Sequence, residues 1–237
     1  MNTSVKISHM KIISIDDPND LYYPLDKETY WDPEVYYHGT SKQYSTSIEK
    51  NGFHLEKVYD AIDVSELYNA FASPYFQAMN FEEMDYHKED LTYATGGAGH
   101  SVSFSGNYWY ARNYSINLGG ESIEHIVNVC KWISKLPDCP FQRLANRCLE
   151  KYEPLCENHI PCVYVVRLPD DELKEWYEKV KDHKKSMDEQ PNKNHNIDHF
   201  VFNKISNKSI IARIDFSREI KSWTPYSNGT HPLHWAL

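Results

Sequence analysis

His38-Gly39-Thr40 sets three hydrogen-bonding devices side by side, directly behind the apolar run Val35-Tyr36-Tyr37. The imidazole donates or accepts, the glycine lets a ligand reach the backbone, and the hydroxyl does both. Such a tip can hold a polar small molecule, provided other segments supply the remaining walls of a pocket. Two carboxylates lie beside apolar stretches further along the chain. Asp198 precedes the apolar stretch His199-Phe200-Val201-Phe202, and Asp215 lies late in Ser209 to Phe216. Ser103 and Phe104 are followed by three tyrosines, Tyr108, Tyr110 and Tyr114.

The elements that must position these residues are legible in outline. Val35 to Thr40 reads as a strand ending in a polar tip, then a loop, one or two helical turns from Tyr44, and a stop at Asn51-Gly52. Ser101-Val102-Ser103-Phe104-Ser105 alternates at strand period, Gly106-Asn107 turns, and Tyr108 to Tyr114 reads as a short aromatic helix. Cys162 to Leu168 has the composition of a buried strand closed by Pro169-Asp170. Residues 199–202 and 209–216 read as two further strands joined by a short connection.

The rest of the chain reads as support. Residues 1–34 hold one short strand and a proline-rich arm. Residues 53–58 suit an extended return. Asp63 to Leu67 begins a helix with an acidic cap, which Ser73-Pro74 interrupts, and helical character resumes over 76–90. Gly96-Gly97-Ala98-Gly99 breaks the pattern; no Lys-Ser/Thr follows it, so a flexible loop fits better than a phosphate loop. Ile123, Ile126, Val127, Cys130, Ile133 and Leu136 share one helical face that ends at Pro137. Phe141, Leu144, Cys148 and Leu149 form a second stripe up to Pro154. A charged helix follows from Asp170 or Asp171, then a polar loop over 186–196. Lys184, Lys185 and Lys193 read there as solvated charges.

Composition narrows the function classes. The 237 residues suit one large domain, or a domain with an embedded helical insert. Hydrophobic residues make up 41%, enough for a core, and the 18 tyrosines favour walls that stack on planar ligands. A formal charge of -9 argues against phosphate-backbone binding, so no nucleic-acid partner is expected. The five cysteines include no Cys-x-x-Cys pair, which favours reduced structural thiols. His231-Pro232-Leu233-His234 lacks helical geometry and further ligands, so no metal is expected. No signal peptide and no membrane-spanning stretch is expected, which points to folding in a cytosol.

Three of these stretches, in order, resemble the motifs of the ADP-ribosyltransferase superfamily, in its diphtheria-toxin and poly(ADP-ribose) polymerase-like lineage. Tyr37-His38-Gly39-Thr40 with Ile48 and Gly52 matches the first motif, a strand ending in His-Gly-Thr before a short helix that stops at Gly. Val102-Ser103-Phe104-Ser105 with Ala111 and Tyr114 is similar to the second. Asp198 to Asn203, followed by Ile210-Ile211, is similar to the third. The resemblance covers about Val35 to Phe216, and the first motif is its most specific part. It implies an α+β fold, a split β-sandwich of two small sheets with flanking helices. The chain would then be a single domain with an N-terminal arm (1–34), a helical insert (119–160) and a C-terminal tail (217–237).

The resemblance also implies a chemistry. NAD would be the substrate, with His38 on the adenosine ribose, the Gly39 backbone on the nicotinamide amide and Thr40 beside them. Ser103 stands where the polymerase lineage has a stacking Tyr, so Phe104, Tyr108 or Tyr110 becomes the stacking candidate, with Tyr114 nearby. Asp198 stands where the family usually has Glu; it would offset the positive charge that grows on the ribose as nicotinamide departs. Asp215 is the rival acid, although its place late in a strand suits a salt bridge. Asn196-Ile197-Asp198 departs from the Glu-x-Glu of the arginine-modifying branches. Apart from the resemblance, His38 suits a structural role, Asp198 a cap, and Ser103 with the aromatic residues simple packing.

The implied activity is NAD-dependent mono-ADP-ribosyl transfer to a protein target, as a bacterial effector or toxin performs it, in a cytoplasm or a host cytosol. The alternatives are transfer to a small molecule, NAD glycohydrolysis, or an inactive NAD-fold protein that binds a partner through its helical insert.

Overall fold

The computed structural model describes residues 10–16, 24–32, 34–54, 58–79, 81–96, 102–106, 108–168, 198–201 and 204–216. The charged helix expected after Asp170, the loop over 186–196, and the His231 and His234 pair lie outside them.

The chain is α+β and divides into two compact units. The sheet unit takes its described residues from Met1–Leu55, Ser101–Ile116 and Ile160–Leu237. Its six strands are β1 (Lys11–Ile15), β2 (Val35–Ser41), β3 (Val102–Ser105), β4 (Pro161–Arg167), β5 (Asp198–Val201) and β6 (Ile210–Phe216). They form one mixed sheet in the order β1-β6-β4-β2-β3-β5, in which β1 and β6 run parallel and every other neighbouring pair is antiparallel.

Two pairings differ in a way that matters for the site. β2 pairs with β4 along its whole length, from Val35 opposite Arg167 to Ser41 opposite Pro161. Against β3 it keeps, among the described residues, a single register pair, Tyr37 opposite Ser105. The sheet is therefore firmly laddered up to β2 and joined to its β3–β5 end at one point.

Strand alternation sends successive side chains of β2 to opposite faces. Tyr36 packs with Phe53, Phe104, Tyr164 and Val166 on one face. Val35 and Tyr37 pack with Val163, Val165, Tyr108, Trp109 and Ala111 on the other. That second layer includes the short helix α6 (Tyr108–Ser115). α6 can approach because Gly39 has no side chain: a Cβ there would lie 1.8 Å from the Ala111 carbonyl oxygen. Helix α1 (Lys27–Trp31) begins at Asp26, whose carboxylate accepts from the Thr29 amide. Helix α2 (Ser45–Asn51) ends as the sequence predicts, at Gly52 with φ +78° and its amide bonded to the Ile48 carbonyl.

The helical unit takes its described residues from Glu56–His100 and Asn117–His159. It contains α3 (Ala61–Phe71), α4 (Pro74–Gln77), α5 (Phe81–Gly96), α7 (Glu121–Lys135) and α8 (Gln142–Glu157). The hairpin expected over 121–155 is present as α7 and α8, and its apolar stripes share one core with Leu67, Phe71, Phe76 and Leu91. Two boundaries differ from the sequence reading. Asp60, not Asp63, caps α3 through the Ile62 amide, because Asp63 turns inward to meet charged partners on α8. Pro154 does not end α8, which runs one turn further to Glu157; the proline costs the helix one hydrogen bond, to the Glu150 carbonyl. Among the described residues no helix is long and apolar enough to cross a membrane.

Candidate functional site

β2 brings His38 to the point where the ladder to β3 has lapsed. Its Nδ1 lies 2.7 Å from the Ser103 carbonyl oxygen of β3. A carbonyl only accepts, so Nδ1 carries the proton and Nε2 is left as an acceptor. The imidazole thus spans the two strands with a side-chain bond just beyond the Tyr37–Ser105 pair.

The ring is half-buried between two aromatic neighbours. Phe53 meets it edge-on with ring centres 4.9 Å apart, and Phe104 lies tilted at 5.4 Å. Tyr164 occupies the register position beside His38 on β4. This apolar surround holds the imidazole below its ordinary pKa, because burial disfavours the cation; the bond to Ser103 opposes the shift only in part. His38 is thereby a neutral ring of fixed tautomer at neutral pH.

The other candidates fall in three groups. Phe104 lies beside His38 and is buried, while Ser103 gives its carbonyl to the imidazole and is itself exposed. Thr40 is buried two residues along the same strand. Gly39 faces α6, so the close approach its missing side chain permits is taken by protein backbone. Tyr108 is not brought to His38. It is fully buried on the opposite sheet face, edge-on to Tyr37 at 5.8 Å, because α6 presents its first turn to the Tyr37 side. Tyr114 is half-buried on the same helix. The side chain of Tyr110 lies outside the described residues.

The two candidate acids are placed differently. Asp198 opens β5 at the register position opposite Ser105, which itself pairs with Tyr37. Two strand spacings put its backbone about 10 Å from that of Tyr37. Asp215 is engaged elsewhere in the sheet. The Arg213 Nε and Nη2 atoms bond to its two oxygens at 2.6 and 3.0 Å, and the Lys42 ammonium lies at 2.9 Å. Burial pushes the Asp215 carboxyl up, but the hydrogen bonds from Arg213 and Lys42 outweigh this and hold it below its usual range. Arg213 also bonds to Glu49 of α2, so the cluster ties α2 to β6. Asp215 thus serves as a structural ion-pair partner, as its place late in a strand suggests.

Sequence reasoning did not single out Phe53, Glu49, Lys42 or Arg213. One signal was present: Arg213 and Asp215 fall two apart in an otherwise apolar strand, hence on one buried face. Phe53 carried no comparable mark.

Among the described residues no three His, Cys, Asp or Glu side chains converge as a metal site requires. All five thiols are unpaired, and four of them are buried. Comparisons of the chain with protein-family models, with curated proteins and with solved structures found no match.

Proposed function

We propose that the chain is an NAD-dependent mono-ADP-ribosyltransferase that transfers ADP-ribose to a protein and releases nicotinamide. The observation that carries this reading is the His38 imidazole. It is held neutral, donates from Nδ1 to the Ser103 carbonyl, and offers Nε2 as an acceptor at the one-pair junction of β2 and β3. A ribose hydroxyl is a fitting donor to that nitrogen.

Two further features support the reading. Among the described residues β2 and β3 share a single register pair within the one mixed sheet, so the junction beside His38-Gly39-Thr40 is the place where two small sheets of the implied fold would part. The strand that begins at Asp198 adjoins β3, whose Ser103 carbonyl accepts from the imidazole.

In the proposed reaction the bond between the ribose anomeric carbon and the pyridinium nitrogen breaks. Nicotinamide leaves with the bonding electrons, and positive charge grows on the ribose. Asp198 would offset that charge from its position on β5. A nucleophile of the target then bonds to the same carbon and gives up its proton. His38 contributes orientation, holding the adenosine ribose so that the dinucleotide lies in one pose.

Nicotinamide release from NAD, followed in the wild type, His38→Ala and Asp198→Ala, tests the reading. Turnover in the wild type that falls on the order of a hundredfold in each variant is the expected result, the scale of one lost interaction in a desolvated site. A folded wild type that neither binds nor cleaves NAD overturns it.

A further inference from the structure

We infer that Phe53 is the positioning residue for His38, and that Asn207, on the connection between β5 and β6, locks it in place. The inference concerns the same site and rests on the proposed NAD reading for its catalytic consequence, but its geometry stands without it.

Phe53 is 3% exposed, and its ring meets three partners at once: His38 at 4.9 Å, Phe104 at 5.2 Å and Tyr164 at 5.5 Å. All three contacts are edge-on, the arrangement in which a ring edge meets a neighbouring face favourably. Because Phe53 and Phe104 both contact the imidazole, the bond from Nδ1 to Ser103 is made with little rotameric freedom in the ring.

The backbone of Phe53 is itself fixed. It exchanges two hydrogen bonds with Ile205, at 2.9 and 3.1 Å, in an isolated bridge. Gly52 lets that bridge form, since a Cβ there would lie 2.0 Å from the Ile205 carbonyl oxygen. Two residues on, the Asn207 side-chain amide donates to the Glu49 and Lys50 carbonyls at 3.1 Å each. Those carbonyls belong to the last turn of α2 and lack helical partners of their own. The connection that follows the Asp198 strand is therefore clamped to the segment that follows the His38 strand, and the clamp ends on the imidazole.

His38 side-chain NMR, which reports tautomer and titration directly, tests this without relying on catalysis. In the wild type the Nδ1–H tautomer is expected, with a midpoint below that of free imidazole. In Phe53→Ala the midpoint should rise toward 6.5 and the tautomer preference should weaken. Phe53→Leu, which keeps apolar volume, should move less, and Asn207→Ala should shift the midpoint in the same direction. If Phe53→Ala does not fold, Phe53→Leu and Asn207→Ala decide. An unchanged midpoint and tautomer in the folded variants overturns the inference. Nicotinamide release in the same proteins separates the two claims. A wild type without turnover whose His38 still responds to Phe53 defeats the NAD reading alone. A wild type with turnover, and Phe53 variants that raise KM more than they lower kcat, supports both.

Discussion

Asp63 in the helical unit and His38 in the sheet unit both place a titratable group among apolar neighbours, yet they are partnered in opposite ways. Asp63 accepts from the Tyr152 hydroxyl at 2.7 Å, the Lys151 ammonium at 2.8 Å and the Arg147 guanidinium at 3.1 Å. Burial pushes its carboxyl up, but the Lys151 and Tyr152 hydrogen bonds and the charges of Lys151 and Arg147 more than offset this, so the acid titrates below its usual range. Among the described residues His38 makes one hydrogen bond and has no charged partner at its ring, and it is pushed toward the neutral form. A carboxylate whose lone pairs are filled by its own protein is a structural clamp, here tying α3 to α8. An imidazole with one nitrogen fixed and the other left as an acceptor is suited to a ligand. The contrast lies in spare hydrogen-bonding capacity.

Substitutions can break this comparison at several points. The largest stability loss is expected from Gly39→Ala. Its Cβ would meet the α6 backbone at Ala111, which cannot yield as a flexible side chain does. A loss of about 3 kcal/mol follows, at the top of the usual overpacking range, read as a lowered denaturant midpoint. Asp63→Ala leaves the buried Tyr152 hydroxyl proton without its acceptor, although that oxygen still accepts from the Asp60 amide, while Lys151 and Arg147 can turn to water. The expected loss is about 2 kcal/mol, with nicotinamide release unchanged at temperatures where the protein stays folded. Loss of turnover in that variant would erase the division between clamp and site.

The smallest effect is on the pH dependence of stability, and it sharpens the contrast most. Both groups have depressed folded-state pKa values, so each binds fewer protons folded than unfolded, and each loses its contribution as pH falls. For His38 the loss begins near 6.5, the unfolded value, and continues down through the folded one. For Asp63 it begins near 3.8. His87, which burial also depresses, should be replaced by Gln in this experiment so that its own titration does not overlap. Burial pushes the Glu124 carboxyl up, so it adds a slope of opposite sign in the same window. In equilibrium unfolding across pH 4 to 7, His38→Ala should remove a rise of stability with pH that Asp63→Ala leaves in place.

Much of the sheet unit was legible in the sequence because its signals are local. The run Val35 to Thr40, the stop at Gly52, the alternation at Val102 to Ser105 and the apolar stretch before Arg167 each follow from a few adjacent residues, and the structure has the corresponding elements. What escaped depends on contacts between segments far apart in sequence. Asp60 and Asp63 are equally good caps by composition, and only Lys151 and Tyr152 of α8 decide between them. The Gly39 position looks like space for a ligand until α6 is seen to fill it. Phe53 reads as an ordinary apolar residue because its three aromatic partners come from three different strands. Tyr108 looked available because helical periodicity does not say which sheet face the helix covers.

The central claim is that the free nitrogen of His38 receives a group of NAD. The most direct measurement follows the His38 side-chain nitrogen resonances as NAD is added to the intact chain, with His87 and His125 of the helical unit as internal references. The account predicts that the His38 Nε2 resonance moves saturably with NAD while the two references stay in place. A His38 resonance that does not respond at NAD concentrations that saturate nicotinamide release, or a protein with neither response, would contradict it.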